Sequence, residues 1–242
     1  MTDLEKITNN RKTLCFLDLE GTQFSHEMIA IGAVKVDLKK DGSVKKIHKG
    51  YYSLVLAKNK VGKVVTELTG ITDADLKKDG KRLRLVLQEL KKYLGREFTK
   101  TLFVTFGNHD LRILAQSLAY NLDAPKDDIH LMIKHNFDFA DWISNYVLDE
   151  NGNNYSLANL LKVFEVDFKG QQHNALADTY NLIYLYDRII NRKDILEREY
   201  RNVLLKQRHL PKPLHEMLEI IIHENREITP KEFDELIKKA LN

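Results

Sequence analysis

The stretch Thr13-Leu14-Cys15-Phe16-Leu17-Asp18-Leu19-Glu20 constrains this chain more than any other. It is an apolar run closing on two acids, consistent with a central strand. Residues two apart in a strand point to one face, so Asp18 and Glu20 share a side. Two carboxylates placed together beside a hydrophobic run repel each other and lose hydration. A divalent cation removes that cost, and carboxylate oxygens suit hard cations such as Mg²⁺ or Mn²⁺. The plainer reading is a strand that ends at Asp18 with both acids in water. Asp-x-Glu alone leaves both readings open.

The pattern around this strand points to an α/β fold. Residues 28–38 read as a second strand, Asp41-Gly42-Ser43 as a hairpin turn, and Val44 to Leu56 as a third strand. Helical spacing begins near Val64. Thr72-Asp73-Ala74-Asp75 is a helix start, and Leu83, Val86, Leu87, Leu90 and Leu94 form an apolar stripe closed by Gly95. Leu102 to Phe106 is a short buried strand followed by a helix from about Asp110 to Tyr120. Phe137 to Phe139 leads into a helix through Trp142, Ser156 caps a helix to Phe164, and Ala175 to Ile190 is a long helix. Strands first, then strand-helix alternation, give a mixed five-stranded sheet flanked by helices. A composition shift near Asn191-Arg192-Lys193-Asp194 divides a domain over 1–192 from a helical extension over 193–242.

Three further residues stand where α/β sites lie. Asp110 follows the strand 102–106 through Gly107-Asn108-His109 and opens a helix, as a site acid or as a cap. Asp178 sits near the start of the long helix among apolar neighbours, in water at a helix end or aimed at a metal. His173 precedes that helix, where a surface or capping histidine is common.

Taken in order, these residues resemble the DEDDh group of DnaQ-like 3′–5′ exonucleases, which have the ribonuclease H-like fold. The resemblance covers roughly residues 12–190. It rests on Asp18-x-Glu20, Asp110 after the Gly107 turn, and His173 with Asp178 five residues on. Glu67-Leu68-Thr69-Gly70-Ile71-Thr72, Ile31-Gly32-Ala33-Val34 and Ser156-Leu157-Ala158-Asn159-Leu160 match supporting segments. Residues 104–111 most resemble the Eri-type and KapD-like members. Those commonly carry Trp where His109 stands, and the usual acid before Ile-Gly-Ala is Ala30 here.

The resemblance implies a hydrolase releasing 5′-mononucleotides from the 3′ end of a single strand, RNA over DNA. It implies two divalent cations, Mg²⁺ or Mn²⁺. Asp18, Glu20 and Asp178 would bind one, and Asp18 and Asp110 the second. His173 would be the general base, and Gly21, Thr22, Phe24, Met28 and Asn108 would contact substrate. Gly21 would allow a tight turn, and Met28 has core packing as an equal alternative. The rivals are a binding module of the same fold without catalysis, and a hydrolase of small oligonucleotides or modified ends.

Charge is uneven although the net is +3. Residues 1–100 carry 21 Lys and Arg against 13 Asp and Glu, while residues 101–192 carry 7 against 12. Such a split suits a protein that holds a polyanion with one part and metal with another, although solvated faces give the same count. Cys15 is the single cysteine, so no internal disulfide forms, which fits a reducing compartment. The charged start Met1-Thr2-Asp3-Leu4-Glu5-Lys6 lacks an apolar signal core, and no run approaches the roughly 18 apolar residues of a membrane helix. A cytoplasmic protein without membrane association is expected. In the extension, Leu214, Met217, Leu218, Ile221 and Ile222 form one stripe and Phe233, Leu236 and Ile237 another. These helices need a partner surface, as a pad, a homodimer contact or a substrate-guiding arm.

Overall fold

The computed structural model describes Leu4, Thr8 and residues 11–207 and 209–241. Six strands form one mixed sheet: β1 (Thr13–Gly21), β2 (Met28–Leu38), β3 (Val44–Ile47), β4 (Tyr51–Leu54), β5 (Leu102–Thr105) and β6 (Asn136–Asp138). Eleven helices accompany it among the described residues: α1 (Lys63–Thr69), α2 (Asp73–Asp79), α3 (Leu83–Leu94), α4 (His109–Tyr120), α5 (Lys126–Lys134), α6 (Phe139–Ser144), α7 (Leu157–Val163), α8 (Ala175–Asn191), α9 (Lys193–Leu205), α10 (Lys212–His223) and α11 (Pro230–Leu241). The strand order is β3-β2-β1-β5-β6, with β4 also paired to β2. β2 is antiparallel to β1, β3 and β4, whereas β1, β5 and β6 run parallel.

β1 is central because both of its faces are covered. Cys15, Leu17 and Leu19 join Met28, Ile31 and Ala33 of β2, Leu87 and Leu90 of α3, and Ile113 and Leu114 of α4 in one buried cluster. On the opposite face the Phe16 ring meets Tyr186 of α8 edge-on, centroids 5.4 Å apart. Burying each such large side chain contributes about 1.5–3 kcal/mol. Cys15 is fully buried, which pushes its thiol pKa up and leaves it a small hydrophobe.

The expected third strand is two strands. Between β3 and β4 the chain leaves the ladder, and the Gly50 N–H donates to the Tyr180 hydroxyl of α8 at 2.9 Å. A Cβ at Gly50 would lie 2.5 Å from Leu176 Cδ1, so a larger residue here would have to displace that side chain. The count is therefore six rather than five. The expected turn at Asp41-Gly42-Ser43 is present, with Ser43 N–H donating to Asp41 Oδ1 and Gly42 at φ +83°. Thr72 forms a capping box with Asp75, and Ser156 caps α7. Helix α5 had no counterpart in the sequence reading; Ile129 and Met132 are its only buried residues.

The chain divides into two compact units, Met1–Trp142 with Ser156–Asn191, and Ile143–Tyr155 with Arg192–Asn242. The second unit thus joins residues 143–155 to the chain beyond Asn191. Within it, Tyr146 meets Tyr200 edge-on at 5.2 Å, and Lys206 Nζ donates to the Asp149 carbonyl at 3.2 Å. Thr229 and Glu232 form the expected capping box at α11, and Lys239 pairs with Glu216 of α10 at 3.1 Å. Neither α10 nor α11 has a buried residue.

Candidate active site

Asp18 and Glu20 lie on one face of β1, directly opposite Gly32 and Ala30 of β2. A Cβ at Gly32 would be 2.3 Å from the Ala175 carbonyl oxygen, the start of α8. The missing side chain thus lets the first turn of α8 rest on the sheet. Thr179 Oγ1 donates to the carbonyls of Ala175 at 2.7 Å and of Gly32 at 3.2 Å, which fastens the contact. One residue before Thr179, Asp178 comes to the strand acids. Ligand-capable oxygens of Asp18, Glu20 and Asp178 all lie within 4.8 Å of one another.

Asp110 approaches from α4. It is 4% exposed, and its Oδ1 accepts the Leu19 N–H at 2.7 Å, between the two strand acids. α4 can come this close because β1 ends in Gly21, where a Cβ would lie 2.9 Å from Ile113 Cγ1. Gly21 was expected to provide a tight turn; it instead completes the strand and admits the helix.

The electrostatics follow from crowding. Burial first, then repulsion from Asp178 and Asp110, raises the Glu20 pKa to about 8. Burial raises Asp110 to about 8, with Asp138 adding repulsion and the Leu19 amide opposing it. Asp178 reaches about 6 through burial, held back by the backbone N–H groups of His173 and Asn174 and by the nearby His173 side chain. Asp18 is raised by burial and by all three other acids. Four carboxyls that resist ionisation in one place are a donor set lacking its counter-charge. Three converging oxygen donors fit a hard divalent cation.

His173 is exposed at φ +61°, in the left-handed region, directly before the Asn174 cap of α8. It lies near enough to Asp178 to hold that carboxyl's pKa down. The residues expected to contact substrate fare differently. Phe24 is 83% exposed at the tip of the β1–β2 loop, and Asn108 is exposed in the turn before Asp110. Thr22 is 1% exposed; its amide donates to the Glu27 carbonyl at 2.8 Å, and its hydroxyl bonds Ser25 Oγ and accepts the Glu27 N–H. Both its polar groups shape the loop. Met28 is fully buried in the sheet core, so packing accounts for it.

Three neighbours went unnoticed in the sequence. Asp138, at the end of β6, accepts the Gly107 N–H at 2.9 Å and so holds the turn that leads to Asp110. An acid at the end of the third parallel strand was its signal. Glu27, 1% exposed, accepts from the amides of Lys58 and Asn59 and from the side chains of Asn59 and Asn121, pinning the loop that follows β4. His26 packs edge-on against His109, centroids 5.3 Å apart. Burial and the Arg112 charge hold both imidazoles below their ordinary pKa, and His26 adds to the effect on His109.

The exonuclease family model RNase T matches residues 15–186, which contain every acid described above. The chain belongs to the RNase T exonuclease family. No curated protein sequence matches it. Its fold, with that of these exonucleases, is shared by the nuclease domain of 3′hExo, a DEDDh family member solved with bound rAMP. That match has a TM-score of 0.62 at 18% identity, covering 78% of this chain and 95% of that one. Cell-death related nuclease 4 matches with a TM-score of 0.59 at 21% identity, over 74% of this chain and 64% of that one. Exonuclease I of E. coli, in complex with a dA16 oligonucleotide, matches with a TM-score of 0.58 at 18% identity. The alignment takes in 86% of this chain but 45% of that enzyme. Among the described residues no helix is long and apolar enough to cross a membrane.

Proposed function

We propose that the chain is a metal-dependent 3′–5′ exonuclease that removes 5′-mononucleotides from single-stranded nucleic acid, RNA in preference to DNA. The observation that carries this is the meeting of Asp18, Glu20 and Asp178 oxygens within 4.8 Å, with buried Asp110 bonded between the strand acids. Asp18, Glu20 and Asp178 would hold one divalent cation, and Asp18 with the free oxygen of Asp110 a second. Bound there, two such ions stabilise the entering and leaving oxygens of an in-line displacement at phosphorus.

The remaining work belongs to the chain. His173 takes the proton of the attacking water, the general-base role an imidazole commonly fills. His173 stands five residues before Asp178 at the opening of α8, near enough to lower the Asp178 pKa. Phe24 offers an open ring on which the terminal base stacks. Asn108 adds a polar contact beside it, and Thr22, Glu27 and Asp138 keep the two loops in shape.

The RNA preference draws on the second-motif resemblance and on a fold neighbour described as a 3′-exonuclease recognising a histone mRNA stem-loop. The DNA-bound exonuclease I neighbour shows that the fold also accommodates DNA. The test is product analysis on 3′- and 5′-labelled RNA and DNA with Mg²⁺, Mn²⁺ or chelator. Stepwise mononucleotide release that needs the metal and a free 3′ end is expected. Equal cleavage of circular and linear strands, or near-normal turnover by Asp18→Asn, would overturn the proposal.

A further inference from the structure

On the outer side of α8 a cavity of about 360 Å³ opens between the helix and the loop that carries His173. Tyr180 and Tyr184 form one wall, one helical turn apart, with rings within 23° of parallel and centroids 6.5 Å apart. Leu176 and Ala177 form the floor, and Lys169 and Asn174 stand at the rim. The lining carries one cation, Lys169, and no acid.

These groups are held in place. The Tyr180 hydroxyl is fixed by the Gly50 N–H at 2.9 Å. Lys169 Nζ lies 4.6 Å from the centroid of the Tyr184 ring and has no acidic partner among the described residues. Its backbone is clamped by Asn181, which is fully buried on α8. The Asn181 side-chain oxygen accepts the Lys169 N–H at 2.9 Å, and its amide donates to the Lys169 carbonyl at 2.8 Å. The same amide donates to the Ala177 carbonyl at 2.9 Å, so a buried asparagine ties the Lys169 backbone to α8. Asn174 caps α8 with its oxygen on the Ala177 N–H at 3.0 Å, which leaves its amide protons for a ligand.

The cavity meets the site through the chain: its lining residue Asn174 follows His173 directly, and Tyr184 lies six residues beyond Asp178, less than two turns and about 9 Å along the same helix, on another face. We propose that this cavity is a second base-binding subsite, which takes an unpaired nucleobase upstream of the bond being cut. The rings stack on the base, and Lys169 with the Asn174 amide meets the adjoining phosphate. Stacking on tyrosine tolerates any base, because every base has a π face. Such a subsite would hold a strand between cuts and leave the shortest substrates indifferent to it. The inference rests on the exonuclease reading, and its test separates the two.

Full-length protein carrying Asp18→Asn keeps the strand intact. The probe is a single strand of about eight nucleotides, within the span that stacking grooves cover. A 2-aminopurine is placed in turn at each position from the 3′ end. Quenching is expected at the terminal base and at an upstream base. Adding Tyr184→Ala should abolish the upstream quench, keep the terminal one, and weaken strand binding about 5- to 150-fold, the range for losing one stacking partner. Binding of a 5′-mononucleotide, which has no upstream base, should be unchanged. Tyr184→Leu, which keeps an apolar side chain on the helix, should act like the alanine variant. Quenching confined to the terminal base, or strand affinity unaltered in both variants, overturns the subsite and leaves the exonuclease reading standing. No quench anywhere overturns the subsite, while the exonuclease reading stands or falls on the product analysis of the unmutated protein.

Discussion

Asp110→Asn should stabilise this protein when metal is absent. Asp110 is 4% exposed, and its Oδ1 accepts the Leu19 N–H at 2.7 Å, a bond that an asparagine oxygen keeps. What the substitution removes is a carboxyl that burial and Asp138 push from 3.8 to about 8. At neutral pH the unfolded chain has released this proton and the folded chain holds it. Since the native state binds more protons, stability falls as pH rises from near 4 to near 8. At pH 7 the gap from the ordinary value is about three pH units, a ceiling of roughly 4 kcal/mol at 1.36 kcal/mol per unit. For a chain of this size each kcal/mol moves the melting temperature by about 2–4 °C.

The measurement is thermal melting of both proteins in chelator across pH 4 to 8. The variant should melt several degrees higher at pH 7, with a gap that narrows toward pH 4 as the unfolded carboxyl also takes up its proton. Mg²⁺ should then raise the parent more than the variant, because the ion binds the native state only. A variant that melts at or below the parent at pH 7 in chelator, or a gap that does not depend on pH, would refute the reasoning.

Other substitutions probe separate parts of the site. His173→Ala should lower turnover by about 10²- to 10⁴-fold while leaving metal-induced stabilisation intact; a collapse in metal affinity would make His173 a ligand instead. Phe24→Ala, at a side chain 83% exposed, should change stability by no more than about 0.5 kcal/mol yet weaken strand binding about 5- to 150-fold by titration. Gly32→Ala touches no acid, but its Cβ would lie 2.3 Å from the Ala175 carbonyl, so α8 must move and carry Asp178 away from Asp18. A loss of stability of about 1–3 kcal/mol and a fall in turnover near 10²-fold are expected, and unaltered turnover would show that this contact does not set the geometry.

How much of this was legible in the sequence depends on the range of the interaction that decides it. β1 and β2 could be bounded because their burial repeats along the chain itself, and strand parity put Asp18 and Glu20 on one face. Asp110 and Asp178 could be placed on helix openings from local signals alone, and the capping boxes at Thr72 and Thr229 were readable three residues at a time. The break between β3 and β4 was not readable. There the Gly50 N–H leaves the ladder for the Tyr180 hydroxyl, a partner far away in sequence. Met28 shows the same limit, because residues at a strand start look alike whether they face a ligand or a core, and only the neighbours from α4 settle that it is core.

The acid cluster itself is a case of both kinds of information. Which residues could serve was local, but whether they meet was decided by Gly32 and Gly21, two positions where the absence of a side chain admits a helix. The same holds for the supports. Asp138 and Glu27 were two more acids among 35 until the structure showed what they bind: one accepts the turn amide before Asp110, the other four donors from two loops. Buried acids satisfied by backbone amides and buried acids crowded by other acids are indistinguishable as letters. They differ in what surrounds the charge: Glu27 is met by four donors, whereas Asp18, Glu20, Asp110 and Asp178 are crowded by one another.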